Sequence, residues 1–187
     1  MATFKEHLES KLPSRQEVLP VLSVIVFIVF TWTLYRMFFQ VPSLLFYMRV
    51  WDVLIISAYV LAFALFESAV VLGLLLIFSL VFPVKYFKDN FVAQGSTVVL
   101  MISMGAVALQ RKMNIMYRLD GWELILYPFV ILAAIVFVIF AASYIYDRFK
   151  ILPRIISTVA ERMIVFVLLY VPLSILGMLV VFVRNII

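Results

Sequence analysis

Apolar residues dominate five long blocks of this chain, approximately 20–39, 53–82, 91–109, 124–146 and 159–183, each closed by a short polar break. A hydrocarbon core about 30 Å thick needs about 20 mostly apolar residues per helix. The pattern therefore predicts an all-α, polytopic transmembrane helical bundle of about five spans. The second block is unusual, because its thirty residues at about 1.5 Å each reach about 45 Å, too long for one upright span and too short for two. A single tilted or overhanging helix is expected there. Residues 40–50, with Pro42, Phe46, Tyr47 and Arg49, are too few to cross and read as a surface loop or a short amphipathic helix along the interface.

Ahead of the first block, Phe4, Leu8 and Leu12 recur every four residues among Lys5, Glu6, Glu9 and Lys11. That spacing puts them on one face of a short amphipathic helix. Residues 1–18 are thus expected to form a surface segment, and 19–187 a single transmembrane helical domain. The first block is followed by Gln40, Val41 and Pro42 with no small-residue cleavage site, so it is expected to remain as a span. Between blocks, Lys85, Tyr86, Phe87 and Lys88, and Trp122 beside Glu123, have the makeup of interface anchors. Helix starts are expected where an acceptor side chain precedes a carboxylate by three residues: Ser14 with Glu17, Asp120 with Glu123, and Thr158 with Glu161.

Composition agrees with this picture. Two thirds of the 187 residues are apolar and 13% are charged, against about 45–50% and about 25% in soluble domains. A chain this small cannot hide that excess in a core, so apolar side chains must face lipid. The net charge of +5 is scattered between the blocks, the distribution of anchoring charges and not of a nucleic-acid-binding face. With five spans, Lys5, Lys11, Arg15, Lys85, Lys88, Arg148, Lys150, Arg154 and Arg162 share the N-terminal side, against Arg36, Arg49, Arg111, Lys112, Arg118 and Arg184. Nine against six favours a multi-pass protein with a cytoplasmic N-terminus.

Glu67 stands out as candidate chemistry, because the midpoint of block 53–82 falls beside it and places a carboxylate near the bilayer midplane. An ionised, unpaired carboxylate there costs several kcal/mol (about 3 on insertion scales), so it must be protonated, partnered or wet. It can be a proton or cation site, a contact to substrate or partner subunit, or a protonated group donating one hydrogen bond to a neighbouring helix. Partners at similar depth are Thr31, Ser103, Tyr170 and Ser174. Pro172, with Ser174 and Gly177 nearby, marks a kink or hinge in the last span. Arg36, about a turn from the end of the first span, is expected to snorkel to the headgroups. Small residues on the third span (Ser96, Ser103, Ala106) and the fourth (Ala134, Ala141, Ala142) are expected to face other helices.

Several chemistries are excluded within this chain. It has no Cys, and His7, its only histidine, precedes the first span, which removes intramembrane His-ligated haem or copper, H-E-x-x-H zinc sites and Ser-His hydrolysis. Its five glycines are far apart and form no phosphate-binding loop. Asp120 and Glu123 lack further ligands to complete a metal site, and capping accounts for both. No cofactor is expected. The resulting expectation is a non-catalytic membrane subunit or scaffold acting through helix–helix contacts, with membrane lipids and a membrane protein partner or further copies of itself around it. The alternatives are a small transporter or channel using Glu67, with Ser57, Gln94, Ser103 and Ser174 as a thin polar lining, and a lipid-acting enzyme using interfacial carboxylates such as Asp52, Asp89 or Asp147.

Overall fold

The computed structural model describes residues 12–83, 87, 90–115 and 121–186, with side chains for all of these except 109, 111–115, 121–125, 127 and 128. Among these residues six helices follow in order: α1 (Arg15–Tyr47), α2 (Val50–Val81), α3 (Phe91–Ile115), α4 (Gly121–Arg148), α5 (Ile151–Arg162) and α6 (Ile164–Ile186). No strand occurs among the described residues. Among the described residues five helical stretches are long and apolar enough to cross a membrane, in α1, α2, α3, α4 and the α5–α6 pair. The chain is an all-α multi-pass membrane protein. The expected amphipathic helix at Phe4–Leu8–Leu12 and the Asp120 cap fall outside the described residues, as do the Lys85, Tyr86 and Lys88 anchors and the side chains of Trp122 and Glu123.

The start of α1 is set locally. The Ser14 N–H and hydroxyl both donate to the Glu17 carboxylate at 2.7 Å, and the Ser14 carbonyl accepts from the Glu17 and Val18 N–H groups. The carboxylate thereby satisfies a donor at the helix entrance and faces the positive end of the helix dipole. The far end of α1 departs from the sequence expectation. The helix runs through Pro42 to Tyr47, and residues 40–47 form no separate surface piece. Met48 and Arg49 then turn the chain, and the Arg49 carbonyl accepts from the Asp52 and Val53 N–H groups to open α2. An αα-hairpin with a two-residue turn results. Pro42 interrupts one backbone hydrogen bond, yet the neighbouring Ser43 hydroxyl donates to the Gln40 carbonyl at 2.8 Å and the helix continues.

A second departure lies at 151–186. The last span does not begin at 159. A separate twelve-residue α5 ends at Arg162, Met163 turns, and α6 begins at Ile164. Thr158 is inside α5, where its hydroxyl donates to the Arg154 carbonyl at 2.9 Å, so it caps nothing and its pairing with Glu161 as a capping box fails. Arg154, Glu161 and Arg162 are exposed, while Ala160 is buried. With twelve residues, α5 is too short to cross by itself.

The helices cluster into two compact units, one built on Leu75–Val159 and one on Leu19–Leu74 with Ala160–Ile187. In the first, α3 packs on α4. Ala93, Ala142 and Tyr146 form its buried seam, with Ile156 against them. The Tyr146 hydroxyl meets Thr97 Oγ1, which in turn donates to the Ala93 carbonyl. The small-residue faces pack unevenly: Ser96 and Ala142 are buried, whereas Ala106 and Ala134 are exposed. Phe87 does not lie at the interface as an anchor. It is fully buried, stacked on Phe82 and edge-on to Phe91, and Phe82 reaches Phe140.

The second unit combines the α1–α2 hairpin with α6. Phe27 packs on Phe166 and Phe30 stacks on Tyr170, so α1 and α6 run in the same direction. Val26, Phe30 and Ala64 form the buried centre, with Leu61, Leu65, Val167 and Tyr170 against it. At one end the buried Ser23 hydroxyl shares its proton between the carbonyls of Pro20 and Ala160, at 2.6 and 2.8 Å. Toward the other end Gly177 lies against the backbone of Ala58, and the Tyr59 hydroxyl reaches Asn185 at 3.3 Å.

Candidate functional site within the spans

In the second unit, α1 and α2 carry one guanidinium, Arg36, and one carboxylate, Glu67, within their apolar stretches, and both side chains are exposed. Glu67 sits in the middle of α2 on an outward stripe with Phe63, Phe66, Val70 and Leu74, each at least 46% exposed. It makes no hydrogen bond and no ion pair among the described residues. Thr31, Tyr170 and Ser174 belong to the same unit, and none of them bonds to it. Ser103, in the other unit, donates to the Val99 carbonyl of its own helix at 2.8 Å.

Arg36 lies elsewhere than a helix end, because α1 continues eleven residues beyond it. Since Phe30 is level with Tyr170, six further residues along each parallel helix bring Arg36 level with Leu176, at the centre of α6. Its side chain is therefore about three turns from the helix terminus. It lines a groove of about 480 Å³ between α1 and α2, with Thr33 and Gln40 on one wall and Tyr59, Val60 and Phe63 on the other. Like Glu67, Arg36 has no ion-pair partner among the described residues.

The structure brings Tyr170, Pro172 and Ser174 together, apart from Glu67. Tyr170 is half-buried between Phe30 and Phe166, with ring centroids 4.8 and 6.1 Å away. Ser174 is fully buried, and its hydroxyl donates to the Tyr170 carbonyl at 2.9 Å. α6 runs through Pro172 without a break, its proline ring facing outward. Tyr170 and Ser174 pack within the bundle, where the serine satisfies its own hydroxyl one turn back.

The side chains considered as a polar lining point to local partners too. Ser57 donates to the Val53 carbonyl. Gln94 is fully buried in the first unit, with its amide N–H directed at the Ile139 carbonyl at 3.5 Å and its Oε1 without a partner among the described residues. Asp52 lies in a second, more polar groove with Arg49 and Arg184 at the hairpin end of the bundle. Asp147 is exposed at the end of α4, and Asp89 lies outside the described residues. Among the described residues no three His, Cys, Asp or Glu side chains converge on one point.

Arg36 lies about three turns from the end of its helix, where the sequence suggested about one turn from the end of the first span. Its distance from the helix end depends on how far α1 extends, and Pro42, six residues later, suggested an end that does not occur. No protein-family model matches this chain, and neither a curated protein nor a solved structure is similar to it.

Proposed function

We propose that this chain is a non-catalytic integral membrane subunit or scaffold that acts through helix–helix contacts within a larger membrane assembly. The observation that carries the reading is the outward, unpaired carboxylate of Glu67 at hydrocarbon depth. A charged side chain at the centre of a lone span costs about 2.5–3.5 kcal/mol on insertion scales. A polar or oppositely charged group on a neighbouring helix offsets that cost, and lipid tails do not. Arg36 makes the same demand on the other helix of the hairpin. Packed contacts, small residues and interhelical hydrogen bonds drive association of helices in lipid, where the hydrophobic effect between them is absent.

In this reading the chain carries no reaction of its own. Its surroundings are membrane lipids and a membrane protein, another copy or a different chain, with no nucleic acid. The N-terminus faces the cytoplasm, on the side that also carries Arg148, Lys150 and the basic residues of α5. The test is to extract the protein from its native membrane in mild detergent and weigh the intact particle by native mass spectrometry. A particle heavier than one chain plus bound lipid is expected. A particle of one chain only, across detergents mild enough to keep known complexes whole, overturns the reading.

A further inference from the structure

The two unpaired charges lie on the same side of the α1–α2 hairpin. On α2, Ile56, Val60, Phe63 and Glu67 follow one another at helical spacing, and the first three line the groove. On α1, Thr33, Arg36, Gln40 and Leu44 line the opposite wall. The face therefore carries one cation on its α1 side and one anion on its α2 side, each exposed and neither matched among the described residues.

From this juxtaposition we infer that the face is the docking surface for a second copy of this chain, in the same membrane orientation, with each Glu67 carboxylate meeting the Arg36 guanidinium of the other copy. The inference rests on the subunit reading above and names the partner. The geometry that supports it is that of a two-fold axis along the membrane normal. Such an axis sets α1 of one copy opposite α2 of the other, so that if residue i touches residue j, then j touches i. One copy alone leaves two unmatched charges in the hydrocarbon, and two copies leave none.

Depth fits as well. The hairpin turns at Met48–Arg49, and Gly177 lies against Ala58, so Arg36 is level with residues 59–61, and Glu67 is about 9–12 Å farther from the turn at about 1.5 Å per residue. That offset would separate two short side chains. Here it is closed from both ends, because helical side chains lean toward the N-terminus of their own helix. α1 begins at the end of the bundle away from the turn and α2 at the turn, so Arg36 leans toward the level of Glu67, and Glu67 toward the level of Arg36. The exposed Phe63 between them supplies apolar contact for the same face.

Two single charge reversals test the pairing. R36E puts two carboxylates on the face and E67R two guanidinium groups, so each variant alone is expected to lose self-association at least tenfold relative to the natural chain. Mixed together under different tags, the two variants restore opposite charges at both contacts, the natural Glu67–Arg36 pair at one and its charge-swapped counterpart at the other. They are expected to form a heterodimer of wild-type stability by native mass spectrometry. An ion pair within one chain would be restored by neither mixing nor dilution, so rescue on mixing identifies a contact between copies. Self-association that survives both reversals overturns the inference, and so does a mixture that stays monomeric.

If the reversed chains fail to insert, the natural absence of cysteine allows a milder variant. Phe63→Cys chains co-expressed with Thr33→Cys chains and treated with an oxidant are expected to give a covalent heterodimer, because the axis sets Phe63 of one copy opposite α1 of the other near Thr33, and Leu54→Cys, about 180° away around α2, is expected to give none with the same partner. No covalent heterodimer of Phe63→Cys with Thr33→Cys overturns the inference. A foreign protein in place of the second copy overturns it while leaving the subunit reading intact. A wild-type particle of one chain overturns both.

Discussion

A methyl group built on Gly177 would lie 2.8 Å from the carbonyl oxygen of Ala58. Real Cβ atoms do not approach backbone that closely, and a backbone carbonyl within α2 cannot swing aside as a side-chain tip can. Glycine at this point lets α6 and α2 close to backbone contact, the arrangement small residues permit in membrane bundles.

Gly177→Ala is therefore expected to push the two helices apart and lower stability by about 1–3 kcal/mol, the range for overpacked interiors. Gly177→Val is expected to cost more than Gly177→Ala. Thermal unfolding in detergent, followed by circular dichroism, measures both. Gly73 has nothing within 4 Å of its would-be Cβ, so Gly73→Ala is the control and is expected to be neutral or slightly stabilising.

Ser23 ties the entry of α6 to α1. Its hydroxyl is buried, and the Ala160 carbonyl that it reaches also accepts the Met163 N–H at the α5–α6 turn. Ser23→Ala leaves that carbonyl with one donor and is expected to cost about 0.5–1.5 kcal/mol, in line with interhelical hydrogen bonds in membrane bundles. Faster amide exchange at residues 160–166 of the variant, measured by hydrogen–deuterium exchange, is the accompanying sign. Unchanged exchange there would contradict the role.

Phe87 is fully buried against Phe82 and Phe91, and Phe82 in turn reaches Phe140. Phe87→Ala opens a cavity. In water-soluble cores that change costs about 3–5 kcal/mol. Here the unfolded reference is already among apolar lipid tails, which removes most of the transfer gain and leaves chiefly lost packing. A smaller loss is expected, in the lower part of that range or beneath it. Phe87→Leu is expected to recover more than half of it in the same unfolding experiment.

Gln94 carries a fully buried amide with one weak hydrogen bond and one bare oxygen among the described residues. A buried acceptor left without a donor costs about 1–3 kcal/mol. Gln94→Met keeps the side-chain length and removes the polar group, so stability is expected to hold or to rise by about 1 kcal/mol. A loss of more than that would mean that the amide has a strong partner, and assigning its side-chain resonances by solution NMR would reveal which.

Apolar length is a one-dimensional property, and it decides most of the architecture: about 20 residues per crossing locate the spans with no knowledge of their neighbours. Capping is equally local, and so the Ser14–Glu17 start of α1 follows from those two residues and their spacing. The tertiary structure decides matters of a different kind. Whether α1 stops near residue 39 or continues to Tyr47 sets how far Arg36 lies from the helix end, and the continuation depends on Pro42 being accommodated where the hairpin closes. Thr158 looks like a cap until α5 is seen to run past it. Phe87 looks like an anchor until the aromatic cluster is seen to enclose it. Which side of α2 faces outward with Glu67, and which packs on Phe30 and Gly177, is also a matter of three dimensions. The reason is physical: lipid and protein interior are alike in polarity, so these helices are apolar nearly all round and their periodicity does not mark the face that packs. Close backbone approach, aromatic nesting and the match of one buried shape to another choose that face, and they exist only once the helices have met.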